Sequence, residues 1–263
     1  MNFPASLPLS HEKVLLNIVS KLSNDQRICG IGLSGSYASN TMDIYSDLDF
    51  VIAIEPEYYQ EIMNQRFDIL NQFNDLLAAF TGEHVGEPRL VITLFGQREL
   101  VHVDFKFVSL EDAAERVDET KIIWQRDERL NNIFQTKKPE YPAPDGQWIE
   151  DRIWTWIHYG STKIARGEYF EALDFISFLR LNALSPLALK QAGLKPSGVR
   201  TIEKRLPDFT AKLCRTVATP DYTSLKSALK YCISLYIELQ ENENVITNEK
   251  AKTACLAYFD NLD

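Results

Sequence analysis

Two aspartates at the start of an apolar segment, Asp47 and Asp49, are the residues whose type and spacing point most directly to chemistry. The segment 48–54 is rich in β-branched residues, which predicts a strand. Because successive side chains of a strand leave opposite faces, both carboxylates leave the same face. Two like charges on one face repel each other. Mg²⁺, which prefers a few carboxylates together with phosphate oxygens and water, would resolve this conflict.

A third carboxylate, Asp104, lies within a later apolar segment, 100–107, where apolar residues alternate with His102, Asp104 and Lys106. The alternation predicts a strand that carries Asp104 near its middle. On a strand beside Asp47 and Asp49, this carboxylate could complete a two-metal site. Two metal ions about 3.5–4 Å apart can activate an attacking oxygen and stabilise a leaving pyrophosphate in an in-line displacement.

A glycine and a serine, Gly35 and Ser36, follow a short apolar run, 28–33, that predicts another strand. Gly35 has no side chain, so a phosphate can approach the backbone closely there. Ser36 would begin a helical turn, whose hydroxyl and free amides form an anion site reinforced by the helix dipole. The ordered combination favours a nucleotide site over an exposed strand face: Gly-Ser follows one strand, two aspartates begin the next strand, and a further aspartate lies on a later strand.

The stretch 30–106 resembles the DNA polymerase beta superfamily of nucleotidyltransferases, and within it the bacterial antibiotic nucleotidyltransferases that act on aminoglycosides or lincosamides. The resemblance implies a phosphate-binding pair and three metal-binding carboxylates, namely Gly35 and Ser36, then Asp47, Asp49 and Asp104. It also implies a catalytic domain followed by a helical domain. The family often has glycine or another small residue near Asn40, and this departure does not affect the metal ligands.

The elements that must position these groups begin with an α+β domain. Apolar periodicity predicts helices over 10–22, 58–80 and 110–117, and strands over 28–33, 48–54, 90–95, 100–107 and 121–124. Residues 96–99 join two of these strands as a hairpin loop. The pattern therefore predicts a small mixed β-sheet with flanking helices.

A proline-rich stretch without periodicity, 137–146, predicts a linker between two domains. Beyond it, apolar periodicity predicts helices over 148–166, 169–192, 198–205, 208–217, 222–241 and 248–262. The expected organisation is a nucleotidyltransferase catalytic domain, residues 1–140, followed by an all-helical acceptor-binding domain, residues 141–263.

The first helix of the second domain, 148–166, is rich in aromatic and ionisable groups. Asp151, Trp154 and His158 fall at helical spacing on one face, and together with Glu150 they could bind a polar or cationic acceptor. The structural alternative is that Trp154 is a core residue and His158 a hydrogen-bonded structural histidine. We expect these four residues to line the acceptor site.

The same helix carries two cations, Lys163 and Arg166, which could bind the triphosphate because cations stabilise the charge that develops in phosphoryl transfer. The attacking hydroxyl group also needs a base. Asp104 could accept its proton, or a carboxylate of the helical domain, Glu150 or Asp151, could do so. The sequence leaves this choice open.

The composition narrows the class of substrate and the location. Lys and Arg total 28 against 37 Asp and Glu, a formal net charge of −9, which argues against a long nucleic acid and suits a small or cationic substrate. The four cysteines form no CxxC pair, so we expect free thiols in a reducing cytoplasm. The N-terminus resembles no signal peptide, and no run of eighteen apolar residues predicts a membrane span.

Together these features predict transfer of a nucleoside monophosphate, AMP from ATP, to a hydroxyl of a small-molecule acceptor with release of pyrophosphate. Two Mg²⁺ ions are the expected cofactors, and ATP or another nucleoside triphosphate is the co-substrate. The alternatives are a protein or RNA acceptor, or a non-catalytic nucleotide-binding or antitoxin-like module. Three carboxylates argue against the module, because binding alone does not need them. The acceptor, the base preference and the oligomeric state stay open.

Overall fold

The chain forms two compact units, Met1–Glu140 and Tyr141–Asp263. The computed structural model describes residues 3–96 and 99–262. The first unit combines a six-stranded sheet with helices. In the second unit, residues 141–262 form helices and turns without a strand. The predicted α+β class with a helical second half is therefore confirmed.

The sheet has the strand order β3-β4-β5-β2-β1-β6. Its strands are β1 (Ile28–Leu33), β2 (Leu48–Ile54), β3 (Leu76–Gly82), β4 (Glu87–Phe95), β5 (Val101–Ser109) and β6 (Lys121–Gln125). The neighbours β2 and β5 run parallel, whereas the other pairs run antiparallel. The sheet is therefore mixed, and its parallel pair brings together two strands that are far apart in the sequence.

The two faces of the sheet have different coverings. The helices of this unit are α1 (Leu9–Leu22), α2 (Gly35–Ser39), α3 (Tyr59–Leu70) and α4 (Arg129–Thr136). One face packs in a core with α1 and α3, where the rings of Phe50 and Phe105 stack with centroids 5.4 Å apart. On the other face, Val51 and Val108 pack with Leu130 of α4 and with the 3₁₀ turn Leu110–Ala114. Since strand side chains alternate, Asp49 and Asp104 belong to this second face.

The helical unit packs around its longest helices. Its elements are α5 (Gly146–Ala165), α6 (Tyr169–Leu179), a π-helical segment (Arg180–Leu184), α7 (Ser185–Gln191), α8 (Ile202–Arg205), α9 (Pro207–Leu213), α10 (Tyr222–Gln240) and α11 (Glu249–Asp260). Residues of α5, α6 and α10 share one apolar core. The continuous stretch Tyr169–Gln191 is long and apolar enough to cross a membrane, but 61% of its most apolar window is buried in this unit, as in a core helix.

One predicted helix, 58–80, is wrong beyond Leu70, where α3 ends. The chain turns at Asn71 and then forms β3, which pairs with β4. Leucine and alanine favour a helix locally, but pairing with a neighbouring strand overrides that propensity. The helix predicted over 110–117 is shorter in the structure, a 3₁₀ turn. Within the predicted loop 96–99, residues 97 and 98 lie outside the described residues.

Candidate active site

Two carboxylates from the parallel strand pair form the centre of the candidate site. Asp49 of β2 and Asp104 of β5 are direct partners in the register. Neighbouring strands lie about 4.7–4.9 Å apart, so these two residues stand side by side on one face. Asp104 Oδ1 lies 2.9 Å from His102 Nε2, and the Asp104 side chain is 20% exposed. Two acids this close and this sheltered need nearby positive charge or hydrogen-bond donors.

Gly35 lies against the first of these carboxylates. Its backbone is left-handed, with φ +61°, and a Cβ placed there would collide with Asp49 Oδ2. The preceding residue, Ser34, donates its amide to the Asp49 carbonyl oxygen over 3.0 Å. Glycine is therefore required here for two reasons, the backbone conformation and the approach of the carboxylate.

Ser36 holds a hydroxyl that nothing in the described chain satisfies. Its Oγ is buried, and no hydrogen-bond partner for it lies within residues 3–96 or 99–262. A buried hydroxyl without a partner is costly, and a phosphate oxygen at this point would accept its hydrogen bond. The helix α2 has five residues, so the hydroxyl and the first backbone amides matter more here than a helix dipole.

Asn40 ends α2 in the left-handed conformation, with φ 56°. Glycine adopts this conformation without strain, and asparagine is one of the few other residues that adopt it readily. The Asn40 side chain also accepts a hydrogen bond from Ser6 Oγ over 3.0 Å. The departure from glycine is thus compatible with the turn.

Asp47 is held by a turn that is anchored to α1. The turn of Asp43 and Ser46 is closed by a hydrogen bond from Asp43 N to Ser46 Oγ, 2.9 Å long. His11 of α1 is 1% exposed, and its Nε2 lies 2.7 Å from the Ser46 carbonyl oxygen. Sequence reasoning missed His11. The signal was present, because His11 is a polar residue four positions before Leu15 on the buried stripe of α1.

The donor set fits a divalent cation that is shared with a nucleotide. Among the described residues, no three His, Cys, Asp or Glu side chains are grouped so that they could hold a metal ion by themselves. Asp47, Asp49 and Asp104 therefore do not form a complete set of metal ligands by themselves. Mg²⁺ is commonly held by one or two carboxylates with water and substrate phosphates, and the unpartnered Ser36 Oγ is suited to such a phosphate.

Lys106 lies on the same face, two residues beyond Asp104, and sequence reasoning gave it no role. Its Nζ is 3.0 Å from Glu87 Oε2, which also contacts Arg89 Nη2 over 2.7 Å. The hydrogen bond from Arg89, followed by that from Lys106, lowers the pKa of Glu87 to about 2. Glu87 is therefore ionised at neutral pH and holds Lys106 beside the aspartate pair.

Two residues predicted to bind the acceptor lie in the core of the helical unit instead. Glu150 and Trp154 are 1% and 2% exposed. The Glu150 carboxylate accepts hydrogen bonds from Trp154 Nε1 at 2.8 Å, from Gln240 Nε2 at 2.7 Å and from the Tyr236 hydroxyl. Burial, and next the hydrogen bond to Glu150, raise the pKa of Tyr236. Glu150 and Trp154 therefore leave the set of acceptor-binding residues, and Glu150 is no longer a candidate base.

The other two, Asp151 and His158, are exposed on α5. Asp151 Oδ1 accepts a hydrogen bond from Gln147 Nε2 over 2.7 Å. The His158 ring lies 4.7 Å from the Tyr258 ring, measured between centroids. Both side chains are accessible to a ligand.

The two predicted phosphate-binding cations are engaged within the helical unit. Lys163 Nζ lies 2.7 Å from Glu168 and 3.0 Å from Glu171, and these contacts, first that with Glu168, raise the pKa of Lys163. The Arg166 guanidinium is 3.6 Å from Glu168, with a side chain that is 68% exposed. A phosphate bound by Lys163 would have to compete with two carboxylates, whereas Arg166 is more open.

Residues 12–138 match the family model described as nucleotidyltransferase domain. The chain is similar to the crystal structure of an aminoglycoside 6-adenyltransferase from Bacillus subtilis, with 16% identity, coverage of 95% of this chain and 94% of that chain, and a TM-score of 0.35. It is also similar to the crystal structure of a nucleotidyltransferase-like protein from Exiguobacterium sibiricum 255-15, with 14% identity, coverage of 93% of this chain and 78% of that chain, and a TM-score of 0.38. A third similar structure is that of a spectinomycin adenyltransferase from Enterococcus faecialis with ATP and spectinomycin, with 12% identity, coverage of 95% of this chain and 98% of that chain, and a TM-score of 0.32. A comparison with curated proteins finds no match.

Proposed function

Since residues 12–138 belong to the nucleotidyltransferase domain family, we propose that the chain transfers AMP from ATP to a hydroxyl group of a small acceptor and releases pyrophosphate. The observation that carries this proposal is the register pair of Asp49 and Asp104 beside the unpartnered hydroxyl of Ser36. A pair of sheltered carboxylates next to an unsatisfied donor is what a metal–phosphate ligand requires from a protein.

The phosphates are assigned to the turn that begins at Gly35. Ser36 Oγ would donate to a non-bridging oxygen of the β- or γ-phosphate, and the missing side chain of Gly35 would let the phosphate chain pass close to the backbone. With the phosphates bound in this way, the α-phosphate would lie near Asp49, whose carboxylate lies directly over Gly35. Ser36 therefore orients the leaving pyrophosphate.

Asp47, Asp49 and Asp104 would hold two Mg²⁺ ions together with the phosphates. When bound, Mg²⁺ neutralises charge on the phosphate oxygens and favours in-line displacement. The acceptor oxygen attacks the α-phosphorus, the bond from that phosphorus to the bridging oxygen breaks, and the acceptor's proton passes to a carboxylate. We assign the proton to Asp104, with Asp151 as the remaining alternative now that Glu150 is buried.

The acceptor is proposed to be small and polar or cationic. A formal net charge of −9 disfavours a nucleic acid and suits a cation. Asp151 and His158 are the exposed candidates for contacting it, and Arg166 or Lys163 is proposed to assist the triphosphate. The motif resemblance makes aminoglycosides and lincosamides the first acceptors to screen. We further propose that the enzyme works in the cytoplasm, where its cysteines stay reduced.

The test is calorimetric titration of the whole chain with each of the four nucleoside triphosphates, with and without Mg²⁺. We expect Mg²⁺-dependent binding of ATP that Asp49→Asn and Asp104→Asn weaken strongly. The matched control is Asp68→Asn, which changes an exposed aspartate on α3 and should bind ATP as the wild type does. If the wild type bound no triphosphate, or if the three variants behaved alike, the proposal would be wrong.

A further inference from the structure

A cavity lies within the helical unit, lined by residues of the π-helical segment, of α8 and of α9 with the turns that flank them. Its volume is about 210 Å³, and it opens to solvent. An apolar cavity of ~150 Å³ is enough to hold a benzene ring. The cavity therefore has room for one ring, or a short branched chain, with a polar substituent.

The inner wall of the cavity is apolar. Ile202 of α8 and Leu213 of α9 are buried, and the Thr210 hydroxyl donates to the Ile202 carbonyl oxygen over 3.1 Å, which ties the two helices together. Val199 and Val217 also line the cavity and are exposed, so they lie at its mouth. Burial of an apolar ligand against these side chains would remove hydrocarbon surface from water on both partners.

Arg180 lines the same cavity with a guanidinium group that is only partly engaged. Its Nη1 donates to the carbonyl oxygen and to Oγ1 of Thr216, over 2.7 and 3.2 Å. Its Nε and Nη2 make no hydrogen bond, and no carboxylate forms an ion pair with it, among the residues that the structure describes. Neither nitrogen is among the buried unsatisfied atoms of those residues, so solvent reaches both.

This positive charge is half-buried without a counter-ion. Burial lowers the pKa of Arg180 from its ordinary value, but a guanidinium stays protonated in proteins. Buried charges are normally paired, because loss of hydration is costly. Nε and Nη2 are adjacent donors on one edge of the guanidinium plane, a geometry that matches the two oxygens of a carboxylate. An anion from outside the chain would therefore complete the environment of Arg180.

Two irregularities of the backbone fall on segments that line this cavity. Arg180 begins the π-helical segment Arg180–Leu184, and π-helical turns are rare and frequent at functional sites. Thr201, between Val199 and Ile202, has a left-handed backbone with φ 52°, which is costly for a β-branched residue. Such strain clusters at ligand sites. Both irregularities thus support a binding role for the cavity beyond the packing of the helices.

The acidic residue Glu203 lines the cavity as well and limits the charge that a ligand can carry. Its side chain is exposed and forms no ion pair with Arg180. Together with the formal net charge of −9, it disfavours polyanions and anions held by charge alone. A monoanion that also buries an apolar group is the class that fits.

We propose that this cavity binds a small carboxylate with an apolar body of about the size of benzoate. Its carboxylate pairs with Nε and Nη2 of Arg180, and its apolar body lies against Ile202 and Leu213. This site is additional to the proposed transfer of AMP and does not depend on it, because all of its residues belong to the helical unit.

The experiment measures dissociation constants by fluorine nuclear magnetic resonance with two probes of similar shape, 4-fluorobenzoate and the neutral 4-fluorobenzyl alcohol. Arg180→Gln removes the charge, and Val199→Trp places an indole ring at the mouth. The matched controls are Lys230→Gln, which removes an exposed cation of α10, and Ile246→Trp, at an exposed residue that does not line the cavity. Circular dichroism checks that each variant is folded.

We expect the wild type to bind 4-fluorobenzoate about tenfold or more tightly than the alcohol, because a charged hydrogen-bonded pair contributes only with the carboxylate. Arg180→Gln should abolish this preference, and Val199→Trp should weaken both probes by about tenfold or more. Glu203→Gln should bind 4-fluorobenzoate more tightly, since it removes a like charge. Both controls should match the wild type.

Three results overturn the proposal. The wild type could bind neither probe, it could bind the alcohol as tightly as 4-fluorobenzoate, or folded Arg180→Gln could keep the preference for the carboxylate. If Arg180→Gln does not fold, the two probes on the wild type test the charge and Val199→Trp tests the place. Wild-type binding of both probes by Val199→Trp would then contradict the assignment to this cavity.

Discussion

Replacement of Gly35 by alanine tests how the proposed phosphate-binding turn and the carboxylate of Asp49 depend on each other. The added methyl group meets two obstacles. The backbone there has φ +61°, which L-residues adopt at a cost, and the new Cβ would collide with Asp49 Oδ2. Gly86 has a similar φ of +77°, but a Cβ added there meets nothing within 4 Å. Gly86→Ala therefore measures the cost of the backbone conformation alone.

The expected magnitudes follow from these two obstacles. A left-handed backbone costs an alanine about 1–2 kcal/mol, which is the whole effect expected for Gly86→Ala. In Gly35→Ala the Asp49 carboxylate must also turn away from the new methyl group, which adds about 0.5–1.5 kcal/mol. Gly35→Ala should thus lower the free energy of unfolding by about 1.5–3.5 kcal/mol. Because a displaced ligand binds metal poorly, it should also weaken Mg²⁺-dependent ATP binding by about 10- to 100-fold.

The assay combines urea unfolding with calorimetric titration of ATP and Mg²⁺ on both glycine variants. The double variant Gly35→Ala/Asp49→Ala should be more stable than the sum of its single changes predicts, because truncation of Asp49 removes the collision. If Gly35→Ala and Gly86→Ala lost equal stability, and Gly35→Ala bound ATP normally, the proposed contact between turn and carboxylate would be refuted.

Three further changes have defined outcomes. Ser36→Ala removes an unsatisfied buried hydroxyl, so urea unfolding should show equal or higher stability, while ATP binding should weaken by about 1.5–3 kcal/mol. Lower stability with normal ATP binding would contradict the phosphate assignment. Glu87→Gln should destabilise the fold at pH 7, and its difference in unfolding free energy from the wild type should shrink as the pH falls from about 4.5 towards 2. The reason is that a carboxylate with a lowered pKa stabilises the fold above its pKa in the unfolded chain and loses this contribution as the pH falls through its pKa in the folded chain. A difference that does not depend on pH would contradict the pairing with Arg89. Glu150→Gln replaces a carboxylate oxygen by an amide group that faces donors such as the Tyr236 hydroxyl, so it should lower the free energy of unfolding by about 1–3 kcal/mol and leave ATP binding unchanged. Weakened ATP binding without loss of stability would indicate that Glu150 belongs to the active site.

Much of the site was predictable because it depends on local patterns. The alternation around Asp49 and Asp104 predicted two strands in which the aspartates alternate with apolar residues, and the structure has this arrangement. The direct pairing of the two residues was not predictable. It arises because β2 and β5 become neighbours across more than two intervening elements, and single-sequence periodicity contains no information on strand order.

Other features were missed because tertiary contacts decide them. Residues of β3 have good helical propensity, and only pairing with β4 makes them a strand. Glu150 was predicted to bind the acceptor, but Gln240 and Tyr236 of α10 bury it, and the sequence does not show which helix covers which face. The unsatisfied hydroxyl of Ser36 likewise depends on packing that encloses it.

The central claim, that the aspartate pair and the phosphate turn form one metal–nucleotide site, is tested most directly with Mn²⁺ in place of Mg²⁺. Electron paramagnetic resonance counts bound Mn²⁺ with and without an ATP analogue that cannot be cleaved between the α- and β-phosphates. Because the described residues offer no group of three ligands, tight Mn²⁺ binding should require the analogue and should be lost in Asp49→Asn and Asp104→Asn. Tight binding without nucleotide, or wild-type binding in both variants, would contradict the account.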